Sequence, residues 1–372
     1  METIKESSRL GTFLKWCVSQ EVSDVHLQVG KEPWLRIHGK LQKSHDSMLL
    51  CSTNMEFFSL FADQFSRDTL KHIENDREFN TSFWCGDERY RANFSRQTGL
   101  MSFSFRHVPY QTVNLDDMQL PASLLELTAA PRGLILLTGP TGQGKSTTAR
   151  ALLQDINQKR AHRIISIEDP IEYLFQDKMC LFEQREVGMD TDSFADGIRN
   201  AMRQDPDILF VGEIRDLESV YSAIQACETG HLVITTLHAD SIAQAISRII
   251  EFHPLDQQGN IRNLLSRNLQ AVVCQRLIPN HFKSRTPCLE LMVNDATTQK
   301  AIIQNDLETL TDILEVSNNS GMHSFDQYLM ELYVADVISK ETLLEYAFNE
   351  HSIELKLRGI KTNQAILKPN HQ

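Results

Sequence analysis

The chain has 372 residues, a formal net charge of −12 at pH 7 and the composition of an ordinary soluble protein. That length predicts about two domains, each able to bury a core of its own. The acidic balance, with no dense Lys/Arg run, argues against bulk nucleic-acid binding. The apolar runs are far short of a membrane span, and the N-terminal Met-Glu-Thr-Ile-Lys-Glu has no signal-peptide pattern, so a cytoplasmic protein is expected.

From Glu6 to Gln20, Leu10, Phe13, Leu14, Cys17 and Val18 recur at helical spacing. Such a helix either packs on its own domain or binds a partner. Asp24 to Val29 alternates polar and apolar residues as a half-buried strand does, and Trp34–Ile37 runs into a hairpin turn at His38-Gly39. Asn54 to Glu74 reads as helical, and Arg89–Phe94 and Met101–Arg106 alternate again. These elements make a small α+β domain closing near Val108. Pro109 to Pro121, polar and with a proline at each end, reads as a linker.

Beyond it the pattern is that of an α/β nucleotide-binding domain, with core strands expected at Leu134–Thr138, Arg163–Ile167, Ile208–Val211 and Leu232–Thr236. From Met322 the chain turns helical. Phe325, Leu329 and Leu332 form one stripe and Leu343, Leu344 and Phe348 another, with Ser339 as an N-cap between them. Thr362 to Gln372 reads as a disordered tail. The seven cysteines are scattered, without any C-x-x-C, which disfavours a disulfide framework or zinc site and suits small core residues.

The sharpest signal is Gly139-Pro140-Thr141-Gly142-Gln143-Gly144-Lys145-Ser146, which fits the phosphate-binding loop pattern G-x-x-x-x-G-K-[ST]. A strand is expected before it and a helix, Thr147 to Asp155, after it, which sets it apart from a chance glycine-rich turn. Gly142 and Gly144 let the backbone wrap so that several N–H groups face one phosphate, and the helix N-terminus adds partial positive charge. Lys145 then reaches the β- and γ-phosphates of ATP, and Ser146 holds Mg²⁺. Gln143 stands at a free position of the pattern, so its side chain need not matter.

Such a loop needs an acid for Mg²⁺ and the attacking water. The strand Ile208–Val211 delivers Gly212-Glu213. Glycine at 212, where many such enzymes carry Asp, leaves Glu213 to act through metal-bound water. Glu168 and Asp169 end another strand before Pro170, at the sheet edge where ligands bind in α/β folds. A Glu-Asp-Pro of this kind is also a common turn. His231 and His238 bracket the strand between them, either as structural residues or as sensors of a γ-phosphate. No further ligands stand at zinc spacing.

Taken together, these boxes resemble those of the secretion ATPase family of type II and type IV secretion and type IV pili. Gly139–Ser146 resembles its Walker A box, Ile167–Glu172 its Asp box, Arg203–Asp216 its Walker B box and Glu228–His238 its His box, in that order. Ser23-Asp-Val-His26 and Arg36-Ile-His-Gly39 resemble the family's PAS-like domain. The size, and the lack of a cysteine module after Gln275-Arg276-Leu277, fit the pilus retraction branch of the PilT/PilU type. Gln184–Phe194, Thr236–Ala239, Gly321–Gln327 and Ile353–Arg358 look more like its PilU side. The Ala-Ile-Arg-Asn-Leu-Ile motif of PilT is missing, and Thr298–Ile303 lies in that region.

The resemblance implies a PAS-like α+β domain over residues 1–108, a linker over 109–121, a RecA-like P-loop ATPase domain over 122–320 and C-terminal helices and tail over 321–372. It implies ATP and Mg²⁺ as cofactors, with Gly139 to Ser146 and Thr147 around the nucleotide. Ser146 directly and Glu213 through water would hold the metal, and Glu168 would polarise the attacking water. His231 and His238 would couple the γ-phosphate to domain movement. Arg91 and Arg106 either contact the γ-phosphate or form a solvated strand face. The family forms hexameric rings, peripheral at the inner face of the cytoplasmic membrane. The implied partners are a PilT-like paralogue ring and an inner-membrane pilus platform protein. Implied function is ATP hydrolysis that drives or assists pilus retraction and twitching motility. The alternatives are a type II or conjugative type IV secretion motor, and a nucleotide-switched adaptor that reinforces a PilT-like ring.

Overall fold

The computed structural model describes residues 2–44, 49–108, 118, 120–282, 284–316 and 321–358. Most of the expected linker 109–121 and the whole of the expected tail 362–372 lie outside the described residues. The chain divides into two compact units, Met1–Gln111 with Glu172–Leu174 and Thr112–Ile171 with Phe175–Gln372.

In the first unit, β1 (Glu2–Ile4), β2 (Val22–Gln28), β3 (Trp34–Ile37), β4 (Lys40–Lys43), β5 (Glu78–Cys85), β6 (Glu88–Gln97) and β7 (Leu100–Val108) form a sheet of order β1-β5-β6-β7-β2-β3-β4. Only the β1–β5 pairing is parallel. Alternation along β6 and β7 sends Tyr90, Ala92, Phe94, Phe103 and Phe105 into the core. There they meet α1 (Arg9–Ser19), α2 (Asn54–Ala62) and α3 (Arg67–Asn75) through an aromatic cluster in which Phe61 lies edge-on to Phe94 and Phe103. The stretch read as helical from Asn54 to Glu74 forms two helices. Ser66 breaks it by capping α3, its hydroxyl accepting from the Thr69 N–H.

The second unit holds β8 (Gly133–Thr138), β9 (Arg163–Glu168), β10 (Leu181–Glu186), β11 (Ile208–Val211), β12 (Leu232–Leu237), β13 (Leu269–Pro279) and β14 (Arg285–Val293). Their order is β10-β9-β11-β12-β8-β13-β14, parallel throughout except for β14. Side chains of β8 serve two cores. Leu134 and Leu136 face one cluster, containing α6 (Phe194–Ala201), α7 (Leu217–Glu228), α8 (Ile242–Glu251), α9 (Gln258–Asn268), α10 (Ala296–Gln304) and α11 (Leu307–Val316). Ile135 and Leu137 face the other, with α4 (Ala122–Leu127), α5 (Lys145–Lys159), α12 (Phe325–Val334), α13 (Lys340–Tyr346) and α14 (Glu350–Leu357). A strand buried on both faces is largely apolar on both, which is why Leu134–Leu137 is a continuous apolar run. All seven cysteines are buried.

Candidate nucleotide site

The site lies at the carboxyl edge of the parallel sheet, where β8 passes through the glycine loop into α5. Gly139, Gly142 and Gly144 have φ of 141°, 78° and 83°, a region open to glycine at little cost. At Gly139 space also decides, because an added Cβ would lie 2.3 Å from the Gln275 carbonyl oxygen. Lys145 opens α5 and is buried. Its ammonium donates to the carbonyls of Gly139 at 2.7 Å and Pro140 at 2.9 Å. Burial lowers its pKa, and Glu213 works against that shift.

Around this ammonium the boxes meet. The Lys145 Nζ stands 3.3 Å from Nδ1 of His238, whose Nε2 stands 3.2 Å from Glu213. Lysine only donates and a carboxylate only accepts, so His238 is neutral with its proton on Nε2. Its pKa is lowered by burial and then by Lys145, which fits that form. Glu213 also accepts from Arg215 at 2.8 Å, and Arg215 reaches Asp169 at 3.0 Å. The Glu213 hydrogen bond, ahead of Asp169, raises the Arg215 pKa. Lys145, His238, Glu213, Arg215 and Asp169 thereby form one line across the ends of β8, β12, β11 and β9.

Glu168 sits beside this line. It is buried at the end of β9, where it accepts from Ser166 at 2.7 Å and Gln184 at 3.1 Å, and an added Cβ at Gly212 would lie 3.4 Å from its Cα. The two acid-bearing strand ends are thus close neighbours, the Gly212 N–H donating to the Ile167 carbonyl at 2.8 Å. Ser146 is exposed in the first turn of α5, with Thr147 next to it.

His231 does not join this line. It precedes β12 at the opposite end from His238, roughly 20 Å away along extended chain. Its Nδ1 faces the Ala226 carbonyl at 2.9 Å. Arg91 and Arg106 belong to the first unit, directly opposite each other on β6 and β7 and on the face away from the aromatic core. Arg106 donates to Asp24 at 2.6 Å. Burial raises the Asp24 pKa, but hydrogen bonds from Arg106 and Ser23 outweigh it and the net shift is downward.

Arg215 and Gln275 are participants that the sequence did not single out, and Gln143 it marked only as a member of the phosphate loop. Arg215 stood in the quoted Walker B stretch, two residues after Glu213. The Gln143 side chain, which the loop pattern leaves free, is engaged: its Oε1 accepts from the Leu277 N–H at 2.7 Å. Among the described residues, three or more His, Cys, Asp or Glu side chains nowhere cluster as a metal cage. The glycine cradle, Lys145 and the helix N-terminus suit a phosphate group, and the Ser146 hydroxyl suits a Mg²⁺ carried in with it. No helix among the described residues is long and apolar enough to cross a membrane.

The chain is similar to known proteins over most of its length. Residues 101–317 match the family described as type II/IV secretion system protein. The chain is 34% identical over 336 residues to the type IV pilus retraction ATPase PilT of Pseudomonas aeruginosa, covering 90% of this chain and 97% of that protein. It is 33% identical over 357 residues to the type IV pilus ATPase PilU of the same organism, covering 93% and 90%. These identities do not rank the PilU side above the PilT side. A crystal structure of the pilus retraction motor PilT with bound ADP superposes with a TM-score of 0.81 at 37% identity, over 92% of this chain and 98% of that one. The RecA-like α/β fold follows from that likeness.

Proposed function

Because the chain belongs to the type II/IV secretion system protein family, we propose that it is a Mg²⁺-dependent ATP hydrolase that powers or assists type IV pilus retraction. The observation that carries the reading is the line joining Lys145, His238 and Glu213, which unites three boxes at one phosphate-binding loop. Likeness to retraction ATPases over nearly the whole chain supports the pilus assignment.

In this reading Gly139 to Thr147 cradle the phosphates of ATP. Ser146 holds Mg²⁺ directly and Glu213 holds it through water, the metal supplying neutralisation of phosphate charge when bound. Lys145 stabilises charge on the transferring group. Glu168, kept in place by Ser166 and Gln184, orients the attacking water. His238 keeps Glu213 and Lys145 in register. The working form is a hexameric ring at the cytoplasmic face of the inner membrane, acting on a pilus platform protein, and the PilU-like segments favour a helper that works through a PilT-like paralogue.

Phosphate release by purified protein with MgATP, alongside imaging of surface pili, tests this. Lys145→Ala should abolish release and stop the retraction that depends on this chain. Phosphate release at the unaltered rate would refute the site. Retraction that persists without any paralogue would make the chain a self-sufficient motor.

A further inference from the structure

The phosphate loop is tied from outside by β13. Gln275, 2% exposed, donates from Nε2 to the Gln143 carbonyl at 2.7 Å, and its Oε1 accepts from the Thr148 hydroxyl at 2.6 Å in the first turns of α5. Two residues further on, the Leu277 N–H donates to the Gln143 side chain. The loop also packs tightly there, since an added Cβ at Gly144 would lie 2.8 Å from Gln275 Nε2. Because a carbonyl only accepts, the orientation of the Gln275 amide is set by its partners.

This tie has a stereochemical consequence. The Gln143–Gly144 peptide is trans, and in a trans peptide the C=O and N–H point in opposite directions. With the Gln143 C=O turned toward β13, the Gly144 N–H is turned away from β13. That N–H lies among the loop's donors to a phosphate, immediately before Lys145. Left alone, a loop with three positive-φ glycines samples many conformations, and ordering it on binding costs affinity.

We propose that Gln275, together with the Gln143 side chain, is a positioning latch for the nucleotide. It sets the Gly144 N–H and the loop shape before the phosphates arrive, so that β13 rather than the ligand orders the loop. The inference rests on the ATPase reading above.

The test measures KM and kcat for MgATP, the Kd of ADP carrying a fluorescent ribose label, and the thermal midpoint. The variants are Gln143→Met and Gln275→Leu, each close to glutamine in size. Gln143→Met should raise KM and the ADP Kd by roughly three- to tenfold, the worth of one hydrogen bond, with kcat within about twofold. Gln275→Leu should raise both by more, because it releases the Gln143 carbonyl and the Thr148 hydroxyl together. Unchanged KM and Kd with a lowered thermal midpoint would mean that the pair only supports the fold, and would overturn the latch. Should Gln275→Leu fail to fold, Gln143→Met decides alone, since Gln143 is only half-buried in the loop. Labelled ADP reads binding apart from turnover. A wild-type protein that binds ADP without hydrolysing ATP would refute the ATPase reading, and the affinity shifts would still decide the latch.

Discussion

The two edges of the parallel sheet use the same residue types in opposite ways. At the carboxyl edge, His238 has Lys145 on one ring nitrogen and Glu213 on the other, and Arg215 extends the line to Asp169. At the amino edge, His231 turns back on the Ala226 carbonyl, while Asp207 accepts from the Arg163 N–H at 2.7 Å beside His162. The first set joins charged and polar side chains to one another, and the second turns its side chains mainly to backbone groups. Strand direction accounts for the contrast. With the core strands running the same way, the glycine loop and the positive end of α5 fall at the carboxyl edge, where an anion is stabilised. A polar side chain there is placed to act on a ligand, and one at the other edge is placed to satisfy backbone.

The largest effect expected from breaking this contrast is at Glu213. Glu213→Gln keeps the shape and removes the charge that faces His238 and Arg215. Nucleotide should still bind within a few-fold, while turnover falls by roughly a hundred- to a thousandfold, the range for one electrostatic group of an active site. Parallel loss of ADP binding would reassign Glu213 to holding the loop in shape. Glu168→Gln, which keeps the contacts to Ser166 and Gln184, sharpens the point, because near-normal turnover would return the Glu-Asp-Pro stretch to a mere turn.

His238→Ala should cost less, roughly ten- to a hundredfold in turnover, since it removes a neutral bridge between two charges. Its pH dependence is distinctive. Burial first, and then the Lys145 charge, lower the His238 pKa below the ordinary 6.5. The neutral bridge therefore persists as pH falls through 6.5 and is lost only at more acid pH. A pH–rate profile should show an acid limb below 6.5 that His238→Ala abolishes. A His238-dependent limb centred at or above 6.5 would contradict the arrangement.

Much of this edge was legible in the sequence because chemistry and spacing coincide there. The glycine loop needs its residues at fixed separations, and β8, β9, β11 and β12 are short, largely apolar runs, the first leading into that loop and the others into Glu168, Glu213 and His238. Other parts lacked such a signal. The strand β10, Leu-Phe-Glu-Gln-Arg-Glu, pairs on one side only and is polar enough to read as loop. The strand β13 starts directly after α9, with no turn residue to mark it. The Gln143 and Gln275 roles depend on contacts across more than a hundred residues, which a local pattern does not register. The sequence already set His231 and His238 at opposite ends of one strand, but their shared family box implied one role for both.

That separation sets the smallest and most discriminating expectation. Gly230 has φ of 106°, and after it the His231 N–H returns to the Ala226 carbonyl at 3.1 Å, closing the C-terminus of α7. The same carbonyl also takes the His231 ring and the Thr229 hydroxyl, the latter at 3.0 Å. His231→Ala thus deletes one of several donors to a single acceptor and leaves that acceptor satisfied. Loss of stability should stay at or below about 1 kcal/mol, roughly 2–4 °C in thermal midpoint for a unit of this size. Asn at 231, which places an amide donor near the position of Nδ1, should recover part of it. Turnover with MgATP should remain within about twofold of the parent, in contrast to His238→Ala. Equal losses for the two histidines would break the division between the edges. The γ-phosphate would then be coupled to the amino edge of the sheet as well as to the carboxyl edge.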